Sequence, residues 1–264
     1  MILALLLLLQ ADPPAKTEPK PWKAFEFSVG GYLAGVDTSL QVKGGNGVGA
    51  SVDVEDLLGL DSSVLSLRLG ASVALAERHR LHFDFFDVSR HDSTRLGRDL
   101  EFDGTTYPVG TDVDTHMGLQ LFNLTYGYSF FQDSRLDMAV TFGIHGLRTR
   151  LSLDADALGV ADAEKFFLPI PLPGFRMDVA ITPKLWLRQR FEFMWLGVDR
   201  YEGLLTDLSF ALEYELFDHV ALGFGYNTMR MKLRMKDNQF PAVAFEGEFD
   251  FQFSGLQFYV KLFF

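Results

Sequence analysis

Apolar and polar residues alternate with period two through most of the chain. Leu65, Leu67, Leu69, Ala71, Val73 and Leu75 fall on one face of an extended segment, with Ser66, Arg68, Gly70, Ser72 and Ala74 on the other. Leu136, Met138, Val140, Phe142 and Ile144 oppose Asp137, Ala139, Thr141, Gly143 and His145 in the same way. A third set places Leu204, Leu208, Phe210, Leu212 and Tyr214 against Asp207, Ser209, Ala211, Glu213 and Glu215. This pattern predicts long antiparallel strands with one greasy and one polar face.

Alternation alone does not say which face is inside, but connection lengths do discriminate. The junctions at Glu77-Arg78-His79, Gln132-Asp133-Ser134-Arg135, Thr182-Pro183-Lys184 and Phe217-Asp218-His219 are tight. The intervening connections, near Gly44 to Ser62, Ser93 to Gly110, Leu153 to Glu164, Gly197 to Glu202 and Asp237 to Ala244, are mostly longer. Short turns on one side and long loops on the other are the outer-membrane arrangement. The expected fold class is therefore all-β: an antiparallel up-and-down transmembrane β-barrel of about ten strands, or eight if one hairpin is a loop. Tyr128, Phe130, Phe131, Trp186, Tyr214 and Phe217 gather beside the tight turns as an expected aromatic girdle. Arg98 to Tyr107, around Asp103-Gly104, reads as a hairpin projecting beyond the membrane.

Composition sharpens this picture. The 264 residues include 26 Phe and 24 Gly set among charged residues, as expected where a sheet shows an apolar face outward. Ile2 to Leu9 is apolar and Pro13, Pro14 and Lys16 follow, so residues 1–11 read as a signal peptide, 12–23 as a periplasmic linker and 24–264 as the barrel. The apolar run is far shorter than the roughly 20 residues of a transmembrane helix. The net charge of -11 argues against a nucleic-acid partner, and the absence of Cys excludes disulfides and a lipidated N-terminal Cys.

The last hairpin carries two charge stripes. Arg230, Lys232, Arg234 and Lys236 ascend, and Glu246, Glu248 and Asp250 descend. Setting Arg234 against Glu246 places Lys232 against Glu248 and Arg230 against Asp250, a ladder expected in the lumen or above the membrane. Its apolar residues are odd-numbered above and even-numbered below, so bulges are expected near Asn227-Thr228 and Ser254-Gly255. A second ionic set, Arg68, Asp84, Arg176, Asp178, Arg188, Arg190, Glu192, Glu213, Glu215 and Lys261, is expected to line the lumen and to favour a polar plug or narrow path over a wide pore.

The terminal strand resembles the insertion signal of outer-membrane barrels, with aromatic Phe264 last and Leu262, Val260 and Phe258 at alternate positions before it. From about Phe25 onward the chain also resembles uncharacterised outer-membrane β-barrel proteins of Gram-negative bacteria. Its first strand leads into an acidic, helix-like segment, Val52 to Gly59, and its strands carry Gly-aromatic pairs such as Gly127-Tyr128 and Gly225-Tyr226. The resemblance implies insertion by the barrel-assembly machinery and contact with outer-membrane lipid and lipopolysaccharide. It implies nothing about a substrate.

The expected role is structural, binding or narrow transport, with a rim-located hydrolase of the omptin-protease or lipid A deacylase kind as the alternative. Ser89, His91 and Ser93 point away from Arg90 and Asp92 on any strand, so this cluster reads as a polar strand end. His82, His145 and His219 read as isolated, and Asp53, Glu55 and Asp56 as a solvated loop lacking calcium-loop punctuation. No cofactor or metal site is expected.

Overall fold

The structure is a computed structural model that describes residues 23–43, 49–59, 61–97, 99–102, 105–155, 160–198, 201–235 and 247–264. The expected signal peptide, almost all of the linker, Asp103-Gly104, Lys236 and Glu246 lie outside the described residues.

The strands are β1 (Phe25–Lys43), β2 (Gly49–Asp53), β3 (Ser63–Ala76), β4 (His79–Arg95), β5 (Leu100–Phe102), β6 (Thr105–Tyr107), β7 (Asp112–Gln132), β8 (Leu136–Ala155), β9 (Val160–Ala180), β10 (Leu185–Val198), β11 (Tyr201–Phe217), β12 (Val220–Met235) and β13 (Gly247–Phe263). Ten of them, β1, β3, β4 and β7 to β13, form one antiparallel ring. The ring closes where β1 pairs β13, from Glu26↔Phe263 up to Val42↔Gly247. The tight turns fall where the sequence places them, at the end that also holds both ends of the barrel, where Phe264 N–H donates to the Phe25 carbonyl at 2.9 Å. We call this end lower. At the upper end β2 pairs the top of β1 and leads into helix α1 (Val54–Leu58), and β5 and β6 form the expected hairpin.

Outward-facing residues of the lower barrel are apolar. Val29 and Leu33 on β1, Leu65 and Leu67 on β3, Phe142 and Ile144 on β8, and Leu222, Phe224 and Tyr226 on β12 are all exposed. The terminal residues Phe258, Val260, Leu262 and Phe264 belong to the same belt. Barrel strands are 14 to 21 residues long, against roughly 9–11 for a tilted strand that just crosses a bilayer, so the wall rises well above the belt. Tyr128, Phe130, Phe131, Tyr214 and Phe217 are exposed beside the lower turns as expected, but Trp186 points inward, 2% exposed, and its indole N–H donates to Glu215 at 3.1 Å.

The change of parity in the last hairpin has another cause than bulges. β12 and β13 pair without a break from Val220↔Leu262 to Met235↔Gly247. Odd-numbered residues of β12 face inward throughout: Ala221 and Asn227 below, then Met229 and Met231 above, all buried. The strand is regular and the surroundings change, because the upper interior is apolar. Tyr32, Phe86, Leu119, Leu121, Leu147, Leu172, Leu205, Met229, Phe251 and Phe253 fill it as one cluster. Above the belt, the barrel wall encloses an apolar core.

One joint in the wall is incomplete. β9 pairs β8 along its whole length, from Leu136↔Val179 to Ala155↔Val160, but its ladder with β10 stops at Glu192↔Gly174. Above this point lie Pro169, Pro171 and Pro173, alternate residues on the same edge of β9. Proline has no N–H to donate, so that edge offers β10 no donors at these three positions.

Candidate functional site

Alternation aims one residue in two at the lumen, and in the lower half these are charged. Asp84 on β4 is held on both oxygens, by Arg68 of adjacent β3 at 3.0 Å and by Arg190, from β10 across the ring, at 2.8 Å. Arg188, one inward step below, donates to Asp178 at 3.2 Å, to Glu213, and across the lumen to Glu26 of β1 at 3.4 Å. Arg176 binds Asp137 at 2.7 Å and lies 3.5 Å from Asp178. Lys261 bridges Glu26, at 3.6 Å, and Glu213, which also accepts from the Tyr259 hydroxyl at 2.6 Å. Arg190 reaches on to Glu192 at 3.7 Å.

The predicted set Arg68, Asp84, Arg176, Asp178, Arg188, Arg190, Glu192, Glu213 and Lys261 thus converges on one mesh. Glu215 stands apart at the lower mouth, beside Trp186 and 3.8 Å from Lys23. Sequence reasoning omitted Glu26, Arg80, His82, Asp137 and Tyr259, which complete the mesh. Their inward parity was the available signal.

Charges this deep stay ionised only when paired, and partners from opposite walls tie the ring together across its diameter. A cavity of about 120 Å³ remains among them, lined by Ser28, Asp84, Thr125, Arg190 and Gln257. It is polar and large enough for several waters. The mesh is capped by the apolar core, and Tyr32 sits at the boundary, stacked on Phe253 at 4.9 Å between ring centres.

The hairpin ladder is placed differently from its expected register. Lys232 opposes Asp250 and Arg234 opposes Glu248, two residues away from the expected match, and Arg230 opposes Gln252. Arg230 still reaches Asp250 diagonally at 2.7 Å, alongside Lys232 at 2.9 Å, while Arg234 turns to Glu202 of β11 at 3.3 Å. These side chains lie on the outer surface above the belt, outside the lumen. The Arg230 hydrogen bond holds the Asp250 carboxyl below the usual carboxylate range, and Lys232 adds to it against the effect of partial burial.

At the upper end, Arg90 points inward and binds Glu55 of α1 at 3.1 Å, and Glu55 also accepts from the Thr38 amide at 2.8 Å. The acidic segment is a short helix and not a loop: Asp53 and Asp56 are exposed as expected, but Glu55 is buried, and Leu58 packs with Leu96, Tyr107, Val113 and Leu153. Ser89 and His91 face out, away from Arg90, and His91 stacks on His116 at 4.0 Å.

No family model and no curated protein matches the chain. Among solved structures the fold is similar to that of the outer membrane protease OmpT of Escherichia coli, with TM-score 0.60 and 10% identity over 91% of this chain and 96% of that one. The barrel fold matches that of bacterial outer-membrane proteins. Looser matches are the P. putida toluene transporter TodX, with TM-score 0.34 and 9% identity over 91% and 90%, and the outer membrane protein AlkL, with TM-score 0.36 and 14% identity over 97% of each chain. At these identities the likeness is one of fold.

Proposed function

We propose that the protein is an integral outer-membrane β-barrel, closed along its axis, that acts as a structural or binding element and not as a diffusion pore. Its belt would face lipid, and its upper wall, with α1 and the β5–β6 hairpin, would stand outside the cell as the binding surface. The observation that carries this reading is the apolar core stacked on the ionic mesh. A permeating ion would have to cross a layer built from Tyr32, Phe86, Leu119, Leu172, Met229 and Phe253, of which Tyr32 and Leu172 are 0% exposed. Desolvating an ion there costs far more than thermal energy. Insertion by the barrel-assembly machinery through the Phe258 to Phe264 strand, and contact of outward Arg230 and Lys232 with lipopolysaccharide phosphates, belong to the same proposal.

The test is to refold the full chain into liposomes and planar bilayers. A heat-modifiable band together with no conductance steps at moderate voltage supports the reading. Regular steps from folded protein would overturn the closed lumen, and a chain that stays soluble and monomeric without detergent would overturn the membrane assignment.

A further inference from the structure

Where the mesh meets the apolar core, three strands bring together His145 of β8, Glu192 of β10 and Asp207 of β11. The nitrogen and oxygen atoms they offer all lie within 4.8 Å of one another. The three are 2%, 0% and 3% exposed.

Two features mark the cluster off from the ion pairs below it. Every other buried carboxylate of the mesh (Glu26, Asp84, Asp137, Asp178, Glu192 and Glu213) has an Arg or Lys within 4.0 Å. The contact of Asp207 is neutral: Asn227 donates its amide N–H to Oδ1 at 2.6 Å. The second feature is His145, whose two ring nitrogens have no hydrogen-bond partner although Nε2 stands 2.9 Å from Glu192 Oε2, out of hydrogen-bonding alignment. The unsatisfied buried atoms here are both His145 nitrogens and Glu192 Oε2, and they stand beside an Asp207 carboxylate that has no Arg or Lys among the described residues within 4.0 Å.

We propose that His145, Glu192 and Asp207 form a luminal site for a divalent transition cation. One imidazole nitrogen with two carboxylates suits Zn²⁺ or Mn²⁺, and the dication supplies the positive charge that Asp207 lacks. Supporting contacts are in place, as Asn227 orients Asp207 and the Thr125 hydroxyl donates to Glu192 Oε1 at 3.4 Å. Asn123, opposite His145 in the β7–β8 register, adds a buried, unpartnered Oδ1 on the same inward face. Thr125 also lines the polar cavity, so the cluster borders the hydrated part of the lumen. The site would tie β8 to β10 and β11 at Glu192, the rung where the β9–β10 ladder ends.

The full chain is stripped with EDTA in denaturant and refolded into detergent with Zn²⁺, or in parallel with Mn²⁺. Unbound metal is removed, and metal per folded barrel is counted by mass spectrometry. About one ion per barrel, a higher unfolding temperature of the heat-modifiable band with metal, and an affinity at least about tenfold weaker in Asp207→Asn would support the site. Folded wild-type protein holding neither metal, or Asp207→Asn holding as much as wild type, would overturn it. Where Asp207→Asn does not fold, His145→Gln takes its place, and the wild-type stoichiometry stands as a test by itself.

Discussion

The hydroxyl of Tyr32 donates to the backbone carbonyl of Asn227, 3.0 Å away, in the plane where the lumen turns from ionic to apolar. Its ring belongs to the upper layer and its oxygen to the lower. Tyr32→Phe should keep the stacking and leave the carbonyl short of a donor, for a loss of about 1 kcal/mol. Phe253→Ala should cost about 3–5 kcal/mol, because it opens a hole in the apolar core. Denaturant unfolding in detergent, followed by Trp fluorescence, gives both values; equal losses would contradict the layered interior.

Arg190 joins Asp84 to Glu192. Replacing it by Met leaves buried carboxylates short of a cation, and a loss of about 3–5 kcal/mol is expected. Adding Glu192→Gln should return part of that, since Asp84 keeps Arg68 while Glu192 loses the cation beside it, and the second change removes the charge the first left uncompensated. A double variant as weak as the sum of its singles would show that the two groups do not interact.

Outside, the Arg230–Asp250 pair is solvated and should be worth less than about 1 kcal/mol. Its sign with pH is fixed. The folded carboxyl is held below its unfolded value near 3.9, so the contribution is whole above that value and fades as pH falls through the lower, folded one. The stability difference between wild type and Asp250→Asn should therefore shrink below about pH 4; a difference that grew with acid would reverse the assignment.

Gly30 and Gly255 lie on the closing seam between β1 and β13. A Cβ on Gly30 would stand 1.9 Å from the Phe258 carbonyl oxygen, and one on Gly255 1.9 Å from that of Leu33. Either Gly→Ala change should suppress the compact, heat-modifiable band, while Gly97→Ala, with nothing within 4 Å, should leave it intact. Normal closure of Gly30→Ala would show that the seam has room.

Much of this barrel was legible in residue alternation, because a period of two fixes which side chains share a wall face. The tight turns, the strand number and most of the luminal ions followed from it. What alternation does not carry is distance around the ring. Glu192 and Asp207 are opposite one another on β10 and β11, but His145 looks solitary along the chain, and only the curvature of the barrel brings it to them. The hairpin register slipped by two residues for a related reason: a shift of two keeps every side chain on its face, so matched charge stripes fit either pairing. The expected bulges rested on apolar residues always facing out. Met229 and Phe253 break that rule because the wall rises past its belt and encloses a core of its own.

Pro169, Pro171 and Pro173 bear on how copies of this chain tolerate one another. A strand whose neighbour has parted from it exposes a row of backbone groups to which any extended peptide can add, the usual start of intermolecular sheet growth. Here the exposed row lacks its donors at three alternate positions. Along that stretch, β9 gives a second molecule no donors with which to complete the ladder.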